Sequence, residues 1–211
     1  FGTFSEQDVN ATKDAITFKS GSTSRAGGLG WWWHTEHDTL DKLDPALLER
    51  DCKVYLYTLL RLTADNALPL CLKDSVLDME QTVSHLQQLC ADRFDFTPLQ
   101  QRLQALLPLA QALDEKAAAC KDCPGEIDRL VRIQMRASQS ITRLTFHEAN
   151  IYDFDRCGAI YPIPALAAGE RLALTCPGSS RYYMAQTELM RGYNLVMGQL
   201  RDLIRYLQHH K

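Results

Sequence analysis

The sequence is short of several things, and each shortage removes a class of protein. No uninterrupted apolar run reaches the roughly 20 residues that span a bilayer, and no positively charged segment followed by an apolar stretch opens the chain. A soluble chain is expected. Basic residues do not outnumber acidic ones: Lys and Arg total 23 against 26 Asp and Glu, with the signs interspersed and a formal net charge of −3. That leaves no basic field for nucleic acid or an anionic membrane. No repeat recurs at a fixed period, and Cys120-Lys121-Asp122-Cys123 lacks the second such pair that a zinc ribbon needs. An initiator Met is missing too. Phe1-Gly2-Thr3-Phe4 reads as the end of an element cut off from upstream sequence, so the chain is expected to be a fragment or a piece cut at a domain boundary.

What remains is enough for a packed core. At 211 residues, 45% of them hydrophobic, the chain has material for one domain or one and a half. The seven cysteines, at positions 52, 71, 90, 120, 123, 157 and 176, are odd in number and several fall on apolar helical positions. They read mostly as buried thiols and lean towards a reducing, cytoplasmic compartment.

Hydrophobic spacing predicts a series of helices. Asp44-Pro45 opens the first, with Asp as N-cap and Pro where a missing N–H costs nothing; Leu48, Cys52, Tyr55, Leu59 and Leu62 then form one apolar face that should stop near Asn66, ahead of Pro69. A second helix is expected from about Lys73 to Asp92, with Val76, Met79, Val83, Leu86 and Cys90 at the spacing of a bundle seam and His85 beside it. Thr97-Pro98 should cap a third, with Leu99, Leu103, Leu106, Ala110 and Leu113 inward and a kink at Pro108. Cys123-Pro124-Gly125 breaks the chain before a fourth, Glu126 to about His147, whose inner side carries Ile127, Leu130, either Gln134 or Met135, Ala137, Ile141 and Leu144. A last helix, about Tyr183 to His209, buries Leu189, Tyr193, Val196, Leu200, Leu203 and Leu207 and closes an antiparallel bundle. Two stretches read as long loops. Residues 5 to 30 are rich in Ser, Thr, Gly, Asn and Asp without apolar periodicity; residues 150 to 180 carry Pro162, Pro164 and Pro177 with Tyr152, Phe154 and Tyr161, too aromatic for a plain linker.

Side chains suited to chemistry are densest at Gly30-Trp31-Trp32-Trp33-His34-Thr35-Glu36-His37-Asp38-Thr39. Three consecutive indoles fit neither a strand face nor a helix stripe, so at least one ring belongs in a pocket or interface. The next five positions supply two imidazoles and two carboxylates, groups that bind transition metals or move protons. His34, His37 and Asp38 alone would make a strained site, with three ligands inside five residues. The long loop from 5 to 30 leads directly into this stretch, and loops of that length in compact domains commonly serve a site.

Residues 30 to 43, Gly-Trp-Trp-Trp-His-Thr-Glu-His-Asp-Thr-Leu-Asp-Lys-Leu, resemble the segment carrying the last zinc ligand of the co-catalytic zinc exopeptidases, the family of bacterial aminopeptidases, glutamate carboxypeptidase and transferrin receptor. The family form is His-x-x-x-Asp-Thr. The resemblance implies that His34 ligates one of two zinc ions and that Asp38 and Thr39 end the loop and start a helix. It also implies the architecture: mainly α, an antiparallel helical bundle preceded by a loop-rich remnant of an α/β zinc-peptidase domain. Residues 1–43 would be the edge of the peptidase domain, and residues 44–211 a bundle like the transferrin-receptor dimerisation domain. In the family, the loop before the last helix folds back over the neighbouring active site and offers a Lys-Tyr or similar pair to substrate. Arg181 and Tyr182 hold the comparable place here, but the glycines and proline that usually follow are replaced by Tyr183-Met-Ala-Gln-Thr-Glu. Trp33, Arg181 and Tyr182 are thus the substrate-binding candidates.

A dizinc site needs two terminal His ligands, two terminal acids, a bridging carboxylate and a Glu base, and only the final His is found in this chain. The 211 residues alone are therefore expected to be inactive and to bind no zinc, although they would belong to a zinc-dependent hydrolase acting on peptides, with a homodimer formed through the bundle. The rival reading is a non-catalytic, receptor-like dimerisation or binding module. A third is a plain helical bundle whose tryptophans anchor an interface.

Overall fold

The computed structural model describes residues 35–64, 66–120, 124–147 and 161–210. The protein is mainly helical, with six α-helices and no strand among the described residues. It divides into two compact units, Phe1–Asp65 with Arg156–Ala159, and Asn66–Asp155 with Ile160–Lys211.

In the first unit a short 3-10 turn, Leu40–Lys42, leads into α1, Pro45–Ala64. The Asp44 carboxylate accepts from the amides of Ala46 (2.8 Å) and Leu47 (3.4 Å), the N-cap expected of Asp before Pro. The apolar face of Leu48, Tyr55, Leu59 and Leu62 forms as its spacing predicts, yet all four side chains are exposed, and so are Leu56 and Leu60 beside them.

The second unit is the bundle. Its long helices are α2 (Leu72–Cys90), α3 (Thr97–Ala119), α4 (Pro124–Thr145) and α6 (Ser180–His209). Helix α2 packs on α3 and α4, and α6 packs on α3 and α4. The periodic residues named above meet in one core: Val76, Met79, Val83, Leu86 and Cys90 of α2, Leu99, Leu103, Leu106, Ala110 and Leu113 of α3, and Leu189, Val196, Leu200, Leu203 and Leu207 of α6 are all buried. On α4 the residue that turns inward is Gln134, 1% exposed, while Met135 is 48% exposed. Tyr193 reaches the core edge and closes an aromatic cluster with Phe94 and Phe96, at ring-centre distances of 5.2 and 6.2 Å.

Two local outcomes differ from expectation. Helix α3 starts at Thr97 itself, with Phe96 as an N-cap that gives no side-chain bond, and the Asp95 carboxylate just ahead accepts from the Thr97 amide at 2.9 Å. The same helix carries Pro108 in its interior, with Leu109 and Ala110 buried immediately after it. Finally, the stretch expected as a loop up to Ser180 contains a 3-10 turn, Pro164–Leu166, and a short helix α5, Ala168–Leu174. Ile163, Leu166, Ala168 and Leu172 join the core from here. Seven residues are only two turns, too few for a periodic signal to stand out. Close backbone approach holds this piece in place. Gly169 lies against Leu86 and Cys90, and a Cβ on Gly192 of α6 would collide with the backbone carbonyl of Ala165.

Side chains complete the corners. Gln87 donates to the carbonyls of Ala91 (3.1 Å) and Phe94 (3.4 Å) and accepts from the Phe96 amide (2.7 Å), fastening the α2–α3 turn at three points. The Arg93 guanidinium donates to the carbonyls of Leu172 (3.0 Å), Ala173 (2.6 Å) and Thr175 (3.1 Å), supplying partners at the end of α5. Ser179 caps α6 by accepting from the Tyr182 amide.

Candidate functional site

The Thr35–Asp44 stretch is organised by its own backbone. Asp38 donates its amide to the Thr35 carbonyl at 3.2 Å, Thr39 donates its amide to the His37 carbonyl at 2.9 Å, and the Thr39 hydroxyl donates to that same carbonyl at 3.2 Å. The Thr39 hydroxyl also bonds the Asp41 carboxylate, which Lys42 grips from the other side. Lys42 first and Thr39 second hold that carboxyl down at about 2. The outcome is a tight, exposed, hydrogen-bonded turn that hands the chain to α1. Asp38 and Thr39 are part of it, but Asp44, five residues beyond Thr39, is the side chain that starts the helix.

His37 stands next to Glu36 with 3.8 Å between Nε2 and Oε1, both well exposed. Trp33 and His34 lie outside the described residues, as do the loop from 5 to 30, Cys123, Cys157, Tyr152 and Phe154. Among the described residues no group of three or more His, Cys, Asp or Glu side chains is arranged to hold a metal ion. Cys52, Cys71, Cys90 and Cys176 are free thiols, and of these only Cys90 is buried. Burial raises its pKa, and its Sγ lies 3.4 Å from the Gly169 carbonyl. Exposure of the other three departs from the expectation of mostly buried thiols.

Arg181 and Tyr182 fall in the first turn of α6, in the second unit. The Arg181 side chain is exposed, whereas Tyr182 is half-buried against the core and meets Tyr183 edge-on at 5.6 Å. Arg181 makes no ion pair among the described residues. Tyr182 is tied to the helix start through its amide and to the core through its ring, so its place in the fold is accounted for by packing.

One polar site was invisible to periodicity. Asp114 occupies a place on the inner stripe of α3, four residues after Ala110 and three before Ala117, and its carboxylate accepts from the Lys73 amide at 3.0 Å. It thereby caps the start of α2, where Cys71 gives no side-chain bond. Burial raises the Asp114 pKa above the ordinary carboxylate value, and the amides of Lys73 and Leu72 together with the Gln134 side chain offset only part of that. Gln134 likewise sits on a stripe, between Leu130 and Ala137. Polar residues at apolar stripe positions were the available signal.

No protein-family model, curated protein or solved structure matches the chain. No helix among the described residues is long and apolar enough to cross a membrane.

Proposed function

We propose that this chain carries the last zinc-ligand loop and the adjoining helical bundle of a zinc-dependent exopeptidase. The observation that carries the reading is the sequence Trp31-Trp32-Trp33-His34 with Asp38-Thr39 four residues on, followed by a capped helix and a helical bundle in the order the exopeptidase resemblance implies. One imidazole does not hold a metal, so the other ligands and the general base come from sequence outside these residues, and the 211 residues alone are inactive. His34 would provide a neutral ring nitrogen to one zinc, with a hydrogen-bond acceptor on its other nitrogen needed to set the tautomer. Bound zinc supplies an activated water and a polarised carbonyl. The Thr35–Asp44 turn fixes the backbone just after the ligand, and Trp33 is the substrate-binding candidate of the loop. The bundle mediates a homodimer.

The test is metal content together with leucine- or glutamate-releasing activity of the full-length parent protein, beside its His34→Ala version. About two zinc ions per chain are expected in the parent, with both activity and metal lost on substitution. A parent that is metal-free and inert overturns the reading and assigns the stretch to a non-catalytic, receptor-like dimerisation module.

A further inference from the structure

Between α3, α4 and α6 of the bundle lies a cavity of about 230 Å³, open at one side, whose walls are Leu109, Leu113, Leu130, Ile133 and Leu207. Core leucines elsewhere in these helices are sealed, but Leu109, Leu113 and Leu207 keep 8%, 7% and 5% of their surface in contact with solvent. The rim is different in kind. Lys116 continues the stripe of Leu109, Ala112 and Leu113 by one more step, and it and His210 are the two basic residues among those that line the cavity. The acids nearby are taken: Glu126 is held by Arg129 in a two-bond pair at 2.6 and 2.9 Å, and Glu115 accepts from Gln111 at 2.7 Å. Lys116 also draws on the Glu126 carboxylate, but after Arg129, which holds it by direct bonds.

We propose that this cavity is a binding site for a small aliphatic carboxylate, its chain between the three helices and its carboxylate on Lys116. The size fits: a dry cavity of about 150 Å³ accepts benzene, so 230 Å³ suits an unbranched chain of about six to eight carbons. Apolar walls contribute affinity through the area they bury, while the single ammonium selects the charged end. The site stands apart from the zinc reading and does not depend on it.

Titration calorimetry of the whole chain with butanoate, hexanoate, octanoate and octanol tests this, with wild type beside Ala112→Phe and Lys116→Gln. Affinity is expected to rise about fourfold per methylene up to octanoate. Ala112 is exposed at the mouth, so Ala112→Phe fills the opening without disturbing the core, and it should abolish binding while thermal unfolding stays cooperative. Lys116→Gln should weaken octanoate about two- to fivefold and leave octanol unchanged. Affinity independent of chain length, octanoate binding that survives Ala112→Phe, or equal losses for octanoate and octanol in Lys116→Gln would each overturn the proposal.

Discussion

Helices α1 and α3 are built from similar material. Both exceed five turns, both have an aspartate carboxylate bonded to a backbone amide at the start, and both carry leucines at three- and four-residue steps. On α3 the stripe is sealed, Leu103 being 1% exposed, whereas Leu59 at the comparable place on α1 is 58% exposed. A stripe specifies which side of a helix is apolar and says nothing about what covers it. The bundle seals its stripes because four long helices face one another. Tight glycine contacts at positions 169 and 192 and side-chain ties at the corners add to this.

The widest contrast is expected from truncating one leucine in each helix. Leu103→Ala should lower the stability of the bundle by about 2–5 kcal/mol, and Leu59→Ala should change stability by about 0.5 kcal/mol or less. Urea unfolding of both variants, followed by hydrogen exchange of each helix, measures the pair, and equal losses would show that the α1 face is covered after all. Next comes Arg93→Ala, which removes three bonds to the end of α5. A loss of about 1.5–3 kcal/mol is expected, with faster exchange concentrated in residues 168–175.

Caps should act alike in both regions. Asp44→Ala is expected to cost about 1 kcal/mol, read as fraying of the first turn of α1 while exchange in the bundle stays put. Ala91 at the α2–α3 corner has φ of +46°, a region that disfavours a Cβ. Ala91→Gly should therefore stabilise the bundle by about 0.5–1 kcal/mol, a gain visible as a higher melting temperature.

The smallest effect is one of pH. Because burial raises the folded pKa of Asp114, the folded state binds more protons than the unfolded chain between the ordinary carboxylate pKa and the raised one. The contribution is fully present below the unfolded pKa and is lost as pH rises through the folded value. Asp114→Asn keeps an acceptor for the Lys73 amide and should flatten that slope. Stability measured from pH 3 to 7 in both proteins should diverge as pH rises, in favour of the variant.

Much of the bundle was legible in the residues because long helices repeat their signal. Val76 to Cys90, Leu99 to Leu113 and Leu189 to Leu207 each show several turns of the same spacing, and each was placed inward correctly. Helix α5 was not legible, since it is short, begins at Ala168-Gly169, and takes its stability from Leu86, Arg93 and α6 rather than from its own sequence. At the candidate site, Asp44-Pro45 declared its cap, because that bond is local. The part played by Asp114 at the start of α2 did not show, because donor and acceptor are 41 residues apart.

The amino-acid sequence by itself determined the helical class, the apolar faces, the local cap at Asp44 and the crowding of imidazoles and carboxylates ahead of α1, all of which depend on neighbours within a few residues. Tertiary structure alone decided which faces are sealed, that Gln134 rather than Met135 turns inward, that Arg93 ends α5, and that Lys116 lines an otherwise mostly apolar cavity. Those outcomes rest on contacts between residues far apart in the chain. Burial and pairing at such distances are set by how helices pack, and no periodicity within one helix contains that information.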